Sequence, residues 1–375
     1  MIALRDAKII TNIQEKNIGW DASAIDLHLS DEAYEMIKGS IKPFKKDYNE
    51  IISDHTYAKK ISEDSSGTFL LKKGHCYVFR ILEKLHPYIN DTPLYGQATA
   101  KSTIGRLDVI ARLIVNGMNA YESFNPQQVD TGDMFVEITP ITFNVRVKAG
   151  LSISQLRFFY GQIKDSIIRD EQFIKSILHI PDGERNFGTL SVDLSNTEID
   201  KIGTVAAAYC AKSSQNAINL WIKKKENQKY VQRDFWNPVR SKERDNLHSI
   251  VINTNKFYIL RSLERISLPE SVCVYCRAMD ETLGEMRIHY AGFVHPCFGE
   301  GRKDGKLGTP LIFEVRGHNV KIFLTHKEVL ARLHFYRMSR DVERPEEPKT
   351  GNKPKRVSYN EQGLNLSNLF QKNWK

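Results

Sequence analysis

The chain has 375 residues, 41% hydrophobic and 26% charged, a composition that belongs to globular proteins and excludes a disordered chain. Its 54 basic and 45 acidic side chains leave a formal net charge of +9, which suits anionic partners such as nucleotides, phosphometabolites or nucleic acid. No apolar run approaches the roughly 18–20 residues that span a bilayer. The opening "MIALRDAKIITNIQ" lacks a basic segment followed by an apolar one, so no secretory signal is expected, and five cysteines, an odd number, argue against a disulfide framework. We expect a cytoplasmic protein with no membrane partner.

In chain order, the sequence is mostly short runs of β-branched and aromatic residues bounded by Gly, Pro, Asn and Asp. Such runs predict strands: "GTFLLKKGHCYVFRIL" (67–82), "MFVEITPITFNVRV" (134–147), "LSISQLRFFYG" (151–161), "FYILRSLERISL" (257–268) and "TPLIFEVRGHNVKIFL" (309–324). One helical period stands among them, 162–179, with Ile163, Ile167, Phe173, Ile174, Ile177 and Leu178 as its apolar positions and Pro181 to stop it. It predicts a short helical connector between two β-rich halves. The basic runs at 222–230 and 353–359 read as solvated faces or loops.

Cys273 and Cys276 form a C-x-x-C, with His289, His295 and Cys297 not far behind, and together they imitate a zinc site. "SVCVYCRAM" alternates like a strand, however, and a strand points residues i and i+3 to opposite faces. No zinc is expected.

The halves resemble each other. "AIDLHLS" (24–30) has a counterpart in "SVDLS" (191–195), and "STIGRLDV" (102–109) in "ETLGEMRI" (281–288). "FVEITPITFNVRV" (135–147) lines up with "FEVRGHNVKIFL" (313–324), and "SQLRFFY" (154–160) with "ARLHFYR" (331–337). Four matches in one order imply duplication of a β-domain.

The stretch "AKSTIGRLDV" (100–109) gathers Lys101, Ser102, Thr103 and Arg106. Hydroxyl donors beside the planar fork of a guanidinium suit phosphate oxygens, and N–H groups of the turn at Gly105 would complete an anion cradle. Read locally, the same residues also fit a polar strand end with Arg106 in an ordinary ion pair.

The wider pattern decides between these readings. Ser-Ser/Thr-x-x-Arg-Leu, then an Ile/Val-Asp-x-Gly-aromatic turn and a strand carrying Glu, resembles the dCTP deaminase/dUTPase family, in its long duplicated bacterial form. The likeness runs through "ATAKSTIGRLDV", "EITPITFNVRVKAGLSISQLRF", "RDFWNPV", "FYILRSLERISLP", "GEMRIHYAGF" and "YNEQGLNLS". It implies an all-β fold of two tandem distorted β-barrel or jelly-roll-like domains with a short connecting helix. The expected boundaries are 1–161, a connector at 162–183, 184–345, and a nucleotide-closing tail at 346–375.

The resemblance also implies hydrolytic deamination of dCTP to dUTP and ammonia, by a glutamate-activated water attacking C4 without a metal. Glu314 is the favoured catalyst, with Glu137 on the matching strand as the other candidate. Lys101, Ser102, Thr103, Arg106, Tyr359 and Gln362 are expected on the triphosphate side. Ala291, His295 and Phe298 are expected around base and sugar. The second copy has lost the hydroxyl/arginine pattern and the first has lost the turn's aromatic, so the copies are read as complementary.

Mg²⁺ would arrive with the triphosphate, and the chain would form a trimer or related closed homo-oligomer with no nucleic-acid partner. Two departures stand out: His295 replaces the turn's aspartate and Cys297 its glycine. A dUTPase or bifunctional enzyme is the alternative on this fold; a non-catalytic nucleotide sensor is a further one.

Overall fold

The structure, a computed structural model, describes residues 4, 7–13, 23–44, 47–179, 188–221, 225–244, 247–278, 287–289, 292–300, 305–342, 362–372 and 374; Glu226 and 287–289 are described by their backbone. The chain forms two compact units. One comprises Met1–Ser166 with Ser214–Ile222, the other Ile167–Ser213 with Lys223–Lys375.

Nine strands carry the plan of the first unit: β1 (Ile25–Met36), β2 (Phe69–Leu71), β3 (Tyr77–Ile81), β4 (Leu94–Ala100), β5 (Val109–Val115), β6 (Ser123–Phe124), β7 (Met134–Pro140), β8 (Val145–Val147) and β9 (Ser152–Tyr160). Nine more repeat it in the second: β10 (Thr189–Asp193), β11 (Leu247–Ile252), β12 (Phe257–Ile266), β13 (Val272–Ala278), β14 (Arg287–His289), β15 (Gly292–Val294), β16 (Thr309–Arg316), β17 (Ile322–Thr325) and β18 (Val329–Arg337). The first unit's main sheet runs β5-β7-β3-β1-β9-β4-β6, and the second contains β14-β16-β12-β10-β18-β13-β15. Every neighbour pair in both is antiparallel. The two orders are one order. One sheet is a nearly closed barrel and the other a half-barrel, so the fold is two tandem β-domains as the resemblance implied.

The correspondence extends to single atoms. Glu137 lies opposite Arg112 and Val78, and Glu314 opposite His289 and Ile259. The two glutamates, 177 positions apart (314 − 137), therefore occupy one site of the repeat. The Lys72 N–H donates to the Tyr77 hydroxyl at 3.0 Å, and the Asn253 N–H to that of Tyr258 at 3.1 Å. Two buried carboxylates are satisfied alike: Glu83 accepts the His28 N–H at 2.8 Å, and Glu264 the Ser191 N–H at 2.8 Å. A buried carboxylate without donors would cost several kcal/mol, so conserving these partners keeps both copies folded.

Strand runs buried on both faces build the cores. On β7, Met134 to Ile138 are all buried, and on β16 so are Phe313 and Val315 beside Glu314. Leu190, Val192, Leu260, Phe313, Phe335 and their neighbours form the second unit's core. Gly132 and Gly299 pin equivalent turns, each within its own unit. Their φ values are +73° and +80°, and a Cβ added at either would lie 1.9 Å from the carbonyl oxygen of Leu85 or Ile266. Backbone overlap cannot be relieved by a rotamer change. Gly299→Ala is therefore expected to cost about 3 kcal/mol or more, read as a fall in the denaturant midpoint. Gly292→Ala, where nothing lies within 4 Å, should change it by less than about 1 kcal/mol.

The helical period at 162–179 is only partly helical. Ile163–Ser166 is a 3₁₀ turn, Ile167–Ile168 pairs with Tyr336 and Phe335, and α-helix is confined to Glu171–Ile177. The Asp170 side chain caps it, accepting from the N–H groups of Gln172 and Phe173. Leu178–His179 then turns extended to pair with Ile266 and Arg265. Strand pairing of the isoleucines outweighs their helical spacing.

Candidate active site

Lys101 N-caps a single helical turn, Ser102–Gly105, between β4 and β5. The turn leaves Ser102 exposed while Arg106, at 2% exposure, lies beneath it. Arg106 Nε donates to Ser102 Oγ at 3.2 Å, which orients one edge of the guanidinium. Lys101 Nζ bonds Asp26 Oδ2 at 2.6 Å, so its charge is balanced within the unit. Below the turn, the wholly buried Asp108 adopts φ +58° and accepts from Thr142 Oγ1 at 2.5 Å. That bond offsets the cost of a left-handed non-glycine residue and fixes where β5 starts. Lys101, Ser102, Thr103 and Arg106 thus stand together on one turn of the first unit.

Glu137 is 2% exposed, and its Oε2 accepts from Ser40 Oγ at 2.7 Å and from Tyr121 OH at 3.1 Å. The Arg112 guanidinium lies 5.2 Å from the Tyr121 ring centroid, over its negative face. Burial, with the Glu137 charge adding to it, pushes the Tyr121 hydroxyl up to about 12, so it remains a donor at neutral pH. Sequence reading missed Ser40, Tyr121 and Asp26 as partners. Only Asp26 lay in a segment marked by the repeat; the others reach their carboxylate from loops without periodicity.

In the second unit Glu314 is 7% exposed on β16. His295 follows β15, its ring edge-on to Phe293 at 5.0 Å. Phe298 is buried in the unit's core, and its carbonyl accepts the Leu268 N–H at 2.9 Å. Cys297 between them has φ +62°, the left-handed geometry that the absent glycine would take freely. Gln362 is buried and its Nε2 donates to the Pro310 carbonyl at 2.9 Å, at the far end of β16 from Glu314. Four residues of strand separate these anchor points, about 13 Å at the usual rise. Gln362 also borders a cavity of about 650 Å³ with Arg261, Thr197 and Lys229. Arg261 is spent there: its Nε bonds Asp193 at 2.7 Å, and its other nitrogens bond Thr197 and Ser195.

Ala291 and Tyr359 lie outside the described residues. So does 279–286, which holds most of the segment matched to 102–109. Cys273 and Cys276 sit on β13, opposite Tyr336 and Leu333 of β18. Among the described residues no group of three or more His, Cys, Asp or Glu could hold a metal ion, and no helix is long and apolar enough to cross a membrane.

Each glutamate has a buried thiol near it. Burial pushes Cys76 up to about 12, with the Glu137 charge adding to it, and Cys276 up to about 12, with Glu314 adding. Their ordinary value is 9.0, so between 9 and 12 the folded chain keeps protons that the unfolded chain releases. The stability contributed is whole below pH 9 and is lost as pH rises toward 12. Denaturant midpoints should therefore fall above about pH 9, less steeply in Cys76→Ala.

Two β-units on one strand plan, with a buried glutamate at the same place in each and the hydroxyl/arginine turn in the first, define a duplicated β-domain protein. The family models for the 2'-deoxycytidine 5'-triphosphate deaminase N-terminal and C-terminal domains match residues 1–162 and 166–370. The chain belongs to the dCTP deaminase family and is a hydrolase acting on C–N bonds. A crystal structure of 2'-deoxycytidine 5'-triphosphate deaminase from Agrobacterium tumefaciens shares the fold, with TM-score 0.76 and 24% identity over 91% of this chain and 97% of that one. A comparison with curated proteins finds no match.

Proposed function

We propose that this chain hydrolyses dCTP to dUTP and ammonia, with Glu314 moving the protons. Membership of the deaminase family over both halves is the observation that supports this most. In the proposed step Glu314 takes a proton from a water as its oxygen adds to C4 of the cytosine. That proton is delivered to N3; Glu314 then takes the proton of the new C4 hydroxyl and gives it to the amino group, which leaves as ammonia as the C4–N bond breaks and the C4 carbonyl forms, N3 keeping its hydrogen as uracil requires. Its burial on β16 shields that proton from exchange with bulk water.

The division of labour follows the repeat. Ser102, Thr103 and Arg106 of the first copy grip the triphosphate, with Lys101 released from Asp26 to join them. His295 and Ala291 of the second copy flank sugar and base, and Phe298 holds their turn. Tyr359 and Gln362 close over the nucleotide, which requires Gln362 to exchange its bond to Pro310. Magnesium travels with the triphosphate as part of the substrate, and the working form is a closed homo-oligomer in the cytoplasm.

Incubation with dCTP and magnesium, with ammonia, dUTP, dUMP and pyrophosphate assayed separately, tests the proposal. Ammonia with dUTP is the expected result. Ammonia with dUMP and pyrophosphate would make the enzyme bifunctional. No ammonia from dCTP while added dUTP is hydrolysed, or tight dCTP binding without turnover, would refute deamination.

A further inference from the structure

The small three-stranded sheets of the two units differ at one edge. In the first unit β8 has β2 on one side and, on the other, the parallel strand Ile218–Asn219. The Ile218 and Leu220 N–H groups donate to the Asn144 and Arg146 carbonyls, each at 2.9 Å. This added strand lies between Ala211 and Trp236, which pair with each other. Met36 and Ala58 are the equivalent pair in the first unit, since Tyr34 opposes Val78 as Tyr209 opposes Ile259. The added strand thus belongs to the segment of the second copy that matches residues 37–57 of the first.

In the second unit, β17 pairs with β11 alone among the described residues. Val145 opposes Leu71 as Ile322 opposes Ile252, so the carbonyls matching those of Asn144 and Arg146 belong to Lys321 and Phe323. The outward face beside this open edge is apolar: the cross-strand neighbours Val251 and Phe323 are 45% and 66% exposed, with Val320 next to them. An open edge with an apolar flank is a template for another strand.

We propose that the β17 edge takes, in parallel, residues 37–44 of a second copy of this chain. In their own unit these residues are held at Ile37, whose N–H donates to the Tyr57 carbonyl at 2.8 Å, at Ser40, on Glu137, at Ile41, whose carbonyl accepts from the Tyr48 hydroxyl, and at the buried Pro43. Their apolar ends, Ile37 and Phe44, face outward, Phe44 at 66% exposure. The handover joins a first unit of one copy to a second unit of the next. Such a head-to-tail contact repeats around an axis until the ring closes. Because the donated segment also carries Ser40, the contact ties assembly to the Glu137 cluster.

Sedimentation velocity of the full chain tests this. The wild type should sediment as a closed assembly of several chains. Phe323→Pro, which removes an edge N–H and an apolar ring, should sediment as single chains with unchanged circular dichroism. The double substitution Ile37→Asp/Phe44→Asp alters the other half of the contact without touching β17 and should do the same. Mixed together, the two variants each keep one intact half and should form a complex of two chains and nothing larger. A wild type that sediments alone, variants of wild-type mass, or a mixture that stays single-chained would overturn the proposal.

Discussion

Glu314→Gln is expected to lower the rate of ammonia release by about 10²–10⁴-fold, the usual worth of a positioned general acid–base. The amide cannot take the water's proton, yet it matches the carboxylate in size, so the buried β16 position should stay packed and dCTP should still bind. Glu137→Gln occupies the same place in the repeat and makes the natural control. Its amide oxygen can still accept from Ser40 and Tyr121, which hold Glu137 at 2.7 and 3.1 Å. The rate should then stay within about tenfold of wild type. Stability shows what Glu137 does instead: Glu137→Ala removes the shared acceptor, leaving the two hydroxyls only each other at 2.9 Å, so that one of them loses its acceptor, and should cost about 1–3 kcal/mol. Single-turnover ammonia release on the two Gln variants decides. A full rate in Glu314→Gln, or the large loss in Glu137→Gln, would reverse the assignment.

The second large effect is expected at Arg106. Its guanidinium is buried and aligned by Ser102 at 3.2 Å, and in the proposed cradle its planar fork would meet paired phosphate oxygens. Lysine keeps the charge but offers a point donor on a flexible stem. Losing one charge-assisted hydrogen bond of about 1.5–3 kcal/mol should raise KM for dCTP by about 10–100-fold. The maximal rate should change far less, because the triphosphate is remote from C4. Steady-state kinetics on Arg106→Lys separates the two constants. An unchanged KM would take Arg106 out of the proposed cradle.

Much of this fold was legible in the sequence because duplication amplifies weak signals. A single run such as "FVEIT" says only strand, but its match to "IFEVR" at a fixed separation marks two glutamates as one structural position. The turn at 102–106 was legible for a related reason: its hydroxyls, glycine and arginine lie within five residues. What the sequence concealed depends on contacts far along the chain. Ser40 and Tyr121 meet Glu137 from 97 and 16 positions away, and Asp26 meets Lys101 from 75. The connector misled because Ile167 and Ile168 satisfy helical spacing and strand pairing equally well, and tertiary partners chose the strand. The strand Ile218–Asn219 was hidden by its length, since two residues carry no period at all.

The account rests on division of labour between copies, and nucleotide stoichiometry tests it most directly. Calorimetric titration of Glu314→Gln with dCTP and magnesium avoids turnover and counts sites. One nucleotide bound per chain is the predicted result, since each copy supplies only one half of what a site needs. Two per chain would mean that each copy is complete by itself, and the account would be wrong.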